Sequence, residues 1–376
     1  MIRYKNEQII DDLKEKMVFL GGPRQVGKTT LALSLLNDGN ERHPAYMNWD
    51  VVSVKKSLLK GELPGNEKFI ILDEIHKYKE WRNLVKGFYD IYKSERQFLI
   101  TGSARLDYYR KGGDSLQGRY HYHRLHPLSL YEINTEPTKG DLMHIMEFGG
   151  FPEPFFKATS RHYKRWQKER VSRVVQEDLI NLEAVRDISS IELLAHLLPD
   201  RVGAPLSINN LSQDLSVSHQ TADHWIQILE NLYMCFRITP YGIPHLRAMK
   251  KEKKLFMWDW SLCKDEASRF ENLVASNLLK YCHAKEDYDG DEMELHFLRD
   301  SQKREIDFVV TQNKKPLFGV ECKSGDQKIS SRIAYFAKRT PIPMFYQVHM
   351  GEKDYEVKEH NARVLPFTTF CKIIKV

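Results

Sequence analysis

The run GGPRQVGKTT, from Gly21 to Thr30, stands between an apolar tetrad, Met17 to Leu20, and a helix-like stretch, Leu31 to Leu36. Gly22 to Thr29 fit the spacing G-x-x-x-x-G-K-T. A strand must deliver the chain to such a loop. The two glycines let the backbone curl with its N–H groups inward, and the helix that follows turns its positive end toward bound phosphates. Gly22, Pro23, Arg24, Gln25, Val26, Gly27, Lys28, Thr29 and Thr30 are therefore expected to cradle a nucleotide. Lys28 would reach its β and γ phosphates, and Thr29 would hold a magnesium ion.

A nucleotide site of this kind needs an acidic residue at the end of a neighbouring strand. KFIILDE, Lys68 to Glu74, supplies one after an apolar run typical of a strand buried on both faces. Asp73 is expected on the metal side and Glu74 as the base that orients the attacking water; the alternative is that the pair merely caps the next helix. A third apolar run, Gln97 to Ile100, ends in Thr101, Gly102 and Ser103, and Ser103 is assigned to sensing the γ phosphate. Arg105 and Arg119 are both candidates for a finger that stabilises transition-state charge in a neighbouring subunit, with Arg119, in LQGRY, favoured.

A chain of 376 residues is too long for one such module and predicts two or three domains. No apolar run reaches the roughly eighteen residues of a membrane span, and the charged start MIRYKNEQIIDDLKEK lacks the core of a signal peptide. Cys235, Cys263, Cys282, Cys322 and Cys371 are too scattered for a zinc ribbon or a disulfide framework, so a reducing cytoplasm is the expected home. The net charge of +6 permits nucleic-acid binding without demanding it. His121, His123 and His126 have no acidic or cysteine partner beside them and read as strand residues rather than a metal site.

From Pro127 the character of the chain changes, and EFGGFPEPFF, Glu147 to Phe156, reads as a domain junction. Trp166, Val171, Val174, Val175, Leu179 and Leu182 recur at helical spacing within a basic segment from Arg161 to Asp187, expected as a connector helix. A winged-helix rhythm follows: a helix from Ile191 to Leu198, a second over 208–215 capped by Ser207, a third from Gln220 to Leu232, and a wing strand from Met234 to Thr239. His219, Gln220, Asp223 and His224 would sit at base edges, but they lack positive charge, so sequence-specific reading is not expected.

The last third suggests a second chemistry. E-x-K occurs at Glu252/Lys254, Glu321/Lys323 and Glu356/Lys358, and context selects the middle pair. It ends an apolar strand and follows Asp307, on another strand, by fourteen residues. Further upstream, Glu271 is expected to open an amphipathic helix, ENLVASNLLKY. Asp307 and Glu321, with Glu271, could hold Mg2+ or Mn2+ against a phosphodiester, with Lys323 neutralising developing charge.

These residues resemble the PD-(D/E)xK nuclease pattern, with Ile306 where the fold's name has proline. The whole order of the P-loop, LDEIHK, TGSA, LQGRY, HPLSLYE, FGGFPEPF, EID and ECKSG resembles a prokaryotic family of AAA-type ATPases. Members of that family carry a C-terminal domain of unknown function with a nuclease-like core. The resemblance implies an α/β architecture. A RecA-like parallel-sheet P-loop NTPase domain would occupy 1–150, a helical and winged-helix domain 151–250, and a restriction-endonuclease-like α/β domain 251–376. It also implies ATP and a homo-oligomer with nucleotide at the subunit interface. Two functions are open: a DNA-directed ATPase that remodels, translocates along or cuts DNA, and a nucleotide-driven regulatory switch that binds a protein partner.

Overall fold

The structure, a computed structural model, describes residues 3–102, 116–174, 187–242 and 253–376. Ser103, Arg105, Val175, Leu179, Leu182 and Glu252 lie outside the described residues. Packing divides the chain into two compact units, Met1–His126 and Pro127–Val376, instead of the three segments 1–150, 151–250 and 251–376.

The first unit is a sheet of five parallel strands, β1 Met17–Gly21, β2 Tyr46–Asn48, β3 Phe69–Asp73, β4 Gln97–Thr101 and β5 Tyr120–Arg124, in the order β2-β3-β4-β1-β5. The apolar runs of β1, β3 and β4 are buried, as strands with both faces covered should be. The elements α1 Asn6–Asp12, α2 Lys28–Ser34, α3 Val52–Leu59 and α4 Trp81–Tyr92 complete the unit. Phe19, Leu72, Trp81, Phe88 and Phe98 pack in one apolar cluster of its core. Because β4 lies between β1 and β3 in register, with Thr101 opposite both Leu20 and Asp73, the ends of all three strands converge on one edge. On β5, His123 is buried and its Nε2 lies 2.6 Å from Asp12 Oδ2.

In the second unit, α5 Leu130–Ile133, α6 Lys139–Phe148, α7 Pro152–Lys157, α8 Ser160–Arg173, α9 Ile188–Leu197, α10 Ile208–Asp214 and α11 His219–Asn231 precede a hairpin of β6 Cys235–Pro240 and β7 Lys254–Met257. Then come α12 Glu266–Asp289, β8 Met293–Arg299, β9 Glu305–Gln312, β10 Lys315–Lys323, α13 Ser331–Ala337, β11 Phe345–His349, β12 Tyr355–Val357, β13 Ala362–Pro366 and α14 Phe367–Ile374. One eight-stranded sheet, β12-β13-β11-β10-β9-β8-β6-β7, takes in both the hairpin and the later strands, because β6 pairs parallel with β8 through Thr239 and His296. The strand expected as a wing is thus hydrogen-bonded into the sheet of the following segment, which is why 151–250 and 251–376 do not separate.

Two further expectations are corrected. EFGGFPEPFF lies inside the second unit rather than at a junction. A Cβ on Gly150 would come within 2.5 Å of the Trp260 ring and 2.6 Å of the Leu128 carbonyl, so this glycine marks a close backbone approach. Glu271 does not open its helix; Asp265 does, its side chain accepting from Ser268 N at 2.8 Å, which leaves Glu271 a turn and a half inside α12.

Candidate functional site: a phosphate-binding loop and a carboxylate centre

The loop between β1 and α2 has the shape its glycines require. Gly22 has φ +137°, and a Cβ there would meet the Leu125 carbonyl at 2.4 Å, so only glycine lets the chain pass the end of β5. Lys28 is buried and folds back on the loop, donating to the carbonyls of Gly22 at 3.0 Å and Pro23 at 2.7 Å. Those bonds hold the ammonium inside the curl that a phosphate would share. Gln25 adopts a left-handed φ of +63° and Gly27, also left-handed, precedes α2. Val26 is buried and its carbonyl accepts from Arg3 Nη1 at 2.9 Å, while Arg3 Nη2 donates to the His126 carbonyl. Arg24 is half-buried and Thr30 is exposed on the first turn of α2.

Asp73 is the hub of the site. It is buried at the end of β3 and accepts from Thr29 Oγ1 at 2.9 Å, from the Tyr46 hydroxyl at 2.6 Å and from Thr101 Oγ1. The first bond brings together the two residues assigned to the metal, and a hydroxyl beside a carboxylate is the donor chemistry that Mg2+ takes. Burial and the Asp73 charge push the Tyr46 phenol well above its usual range, so it stays a donor. Glu74 follows at φ +57°, its Oε2 3.3 Å from Lys77 Nζ and 3.7 Å from His76 Nε2. Arg119 does not join this set. It precedes β5, at the opposite end of the sheet from the loop, and pairs with Asp90 through Nε at 2.8 Å.

In the second unit, Val320 stands opposite Phe308, so Asp307 and Glu321 are cross-strand neighbours on β9 and β10. Asp307 Oδ2 accepts from Cys322 N at 2.8 Å. Glu321 is buried; its Oε1 takes Lys323 Nζ at 2.7 Å, with Arg332 at 3.6 Å, and its Oε2 is buried without a hydrogen-bond partner. Glu271 meets Lys254 Nζ at 3.3 Å, and the same ammonium lies 2.5 Å from Glu305 Oε1. Burial, then the Asp307 charge, raises the Glu271 carboxyl to about 8 and the Glu321 carboxyl to about 7, against Lys254 and Lys323 respectively. Burial opposes the Lys254 charge, but Glu271, Asp307 and Glu305 together hold it above the ordinary lysine range. The expected metal set of Glu271, Asp307 and Glu321 does not assemble: among the described residues no group of three or more His, Cys, Asp and Glu is placed to hold a metal ion. Lys254 stands among these carboxylates instead.

Residues 14–134 match the model of a family described as an AAA domain. The first unit carries an AAA-type P-loop ATPase domain. Beyond the ATPase domain, residues 139–272 match a domain of unknown function (DUF8612) and residues 268–370 another (DUF4143). An uncharacterized protein of Mycobacterium tuberculosis is 22% identical over 315 residues, covering 82% of this chain and 70% of that protein. Another, of Methanocaldococcus jannaschii, is 23% identical over 399 residues, covering 94% and 88%. Among solved structures, the Aeropyrum pernix ORC1 protein in complex with DNA aligns at 13% identity and TM-score 0.32, over 74% of this chain and 94% of that one. The Thermotoga maritima RuvB Holliday junction branch migration motor aligns at 18% and 0.32, over 66% and 93%. Scores this low establish no shared architecture over the whole chain. No helix among the described residues is long and apolar enough to cross a membrane.

Sequence reasoning missed Tyr46 in the ATPase domain, because β2 is only three residues long and has no apolar periodicity to announce it. It also passed over Lys254, set aside as part of one of three E-x-K matches, and Glu305, two residues before Asp307. A buried lysine on a strand cannot be told from an exposed one without the neighbours that bury it.

Proposed function

We propose that this protein is an ATP-hydrolysing, DNA-directed ATPase whose second unit pairs a winged-helix arrangement with a nuclease-like core. In the ATPase domain, Lys28 and the loop from Gly22 to Thr30 take the phosphates. Thr29 and Asp73 hold Mg2+, and Glu74 orients the attacking water. The ion supplies charge neutralisation at the transferring phosphoryl group.

The observation that carries the DNA reading is a stripe on α8. Arg161, Lys164, Arg165 and Lys168 are all exposed, fall at helical spacing on one face, and have no ion pair among the described residues. Trp166 and Val171 bury the other side. Four unneutralised cations in a row match a phosphate backbone. Base reading is not part of the proposal: Asp223 is tied to Arg237 Nη1 at 2.8 Å and to Gln227 at 2.9 Å.

The test is ATP turnover and binding over a panel of single-stranded, duplex and branched DNA, with Lys28→Ala as the inactive control. DNA is expected to raise turnover. Replacing the four stripe residues with glutamine should weaken binding for every DNA alike and flatten its salt dependence by about 0.9 log units per lost duplex contact. DNA that neither binds at low salt nor stimulates turnover would leave the protein-binding switch as the reading.

A further inference from the structure

In a nuclease built on the PD-(D/E)xK pattern, Glu271, Asp307 and Glu321 would be ligands of a divalent metal. The residues present do not fit that ion. Mg2+ requires near-octahedral oxygen at about 2.0–2.1 Å, whereas Lys254, only 1% exposed, places an ammonium 2.5 Å from Glu305 and 3.3 Å from Glu271, and the Asp307 charge stabilises it further. The charges around the centre are already balanced. Glu271, Glu305, Asp307 and Glu321 are faced by Lys254, Lys323, Arg332 and Arg299, the last 3.8 Å from Glu305. No surplus negative charge remains to draw a divalent cation out of its hydration shell. The orphaned Glu321 Oε2 could supply a single ligand.

We propose that Lys254 is the resident cation of this centre: its ammonium stands in for the divalent metal, so the carboxylates form a fixed, metal-free ion-pair network that binds no divalent cation and cuts no phosphodiester. The inference rests on the nuclease-like reading of the core, and it sharpens that reading from a cutting to a non-cutting site. The fold holds the amine there. β7 pairs antiparallel with β6, placing Lys254 opposite Ile238, and Lys254 bridges to Pro205 on its other side. Its ammonium also lies 5.7 Å from the centre of the Phe297 ring. Removing the ammonium while keeping the stem leaves buried carboxylates uncompensated, a strongly unfavourable state that a divalent cation would relieve.

The experiment uses the full chain without nucleotide or DNA, so its failure is independent of the ATPase test. Mn2+ binding is followed by electron paramagnetic resonance, and thermal unfolding is followed with and without Mn2+. Wild type and Asp307→Asn are expected to bind Mn2+ identically. Lys254→Met should unfold at lower temperature, gain one Mn2+ per chain and recover stability with it; adding Asp307→Asn should abolish that gain, and Lys254→Arg should stay silent. Wild-type Mn2+ binding that disappears in Asp307→Asn overturns the proposal, as does a folded Lys254→Met that gains no ion. If Lys254→Met does not fold even with Mn2+, the wild-type comparison decides alone.

Discussion

Single side chains in this protein are held by bonds that fix their protonation. His349, buried on β11, accepts from Gly351 N through Nδ1 at 3.0 Å, while Nε2 lies 2.9 Å from the Lys353 carbonyl. Nδ1 can accept only while the ring is neutral. Burial lowers the His349 pKa below its ordinary value despite the nearby Asp326, so between the folded value and about 6.5 the unfolded chain binds the extra proton. The sign follows: this contribution is present above pH 6.5 and is lost as pH falls through the folded value. Urea unfolding at pH 7.5 and 5.5 should show a step toward lower stability in acid that His349→Gln reduces; an unchanged step would place the proton elsewhere. Lys28, Thr29 and Asp73 were legible in the sequence because their motif is local and their chemistry fixes its spacing. Tyr46 was not, since its role depends on β2 lying beside β3, a pairing that nothing in YMN encodes by itself.

At the scale of elements, the longest helix secures the edge of the largest sheet. Asn272, fully buried on α12, acts as a strand would: its Oδ1 accepts from Met257 N at 2.8 Å and its Nδ2 donates to Met257 O at 2.7 Å. β7 ends the strand order, so without these bonds a backbone N–H and a carbonyl would be buried unpaired. Asn272→Leu should therefore cost on the order of 2–4 kcal/mol, read as a lower urea midpoint with an unchanged m-value. A cost within experimental error would mean that water or a shifted backbone replaces both bonds. The helices α9, α10 and α11 were foreseeable from periodicity and caps; Ser207 and Ser218 accept from Asn210 N and Thr221 N. The start of α12 was not, because SRFENL carries its apolar signal only from Phe270 onward, well after the Asp265 cap.

At the scale of the whole molecule, the position of Arg119 bears on assembly. It lies at the N-terminal end of β5 while the loop leaves the C-terminal end of β1, a strand's length of about 16 Å away at ~3.3 Å per residue. An arginine there cannot serve its own nucleotide. If it acts at all, it acts on a neighbour, and mixing Arg119→Ala with Lys28→Ala should restore part of the ATPase activity that each lacks; a mixture no more active than its parts would retire Arg119 as a finger. The order of segments was legible in the sequence, but their grouping was not, because strand pairing between Thr239 and His296 joins residues 57 apart and leaves no local mark. That pairing also sets how a load would travel. A pull on the hairpin of β6 and β7 is borne as shear across the β6–β8 ladder, one strand from β9 and Asp307, so the hairpin and the carboxylate centre move together as a lever and its fulcrum do.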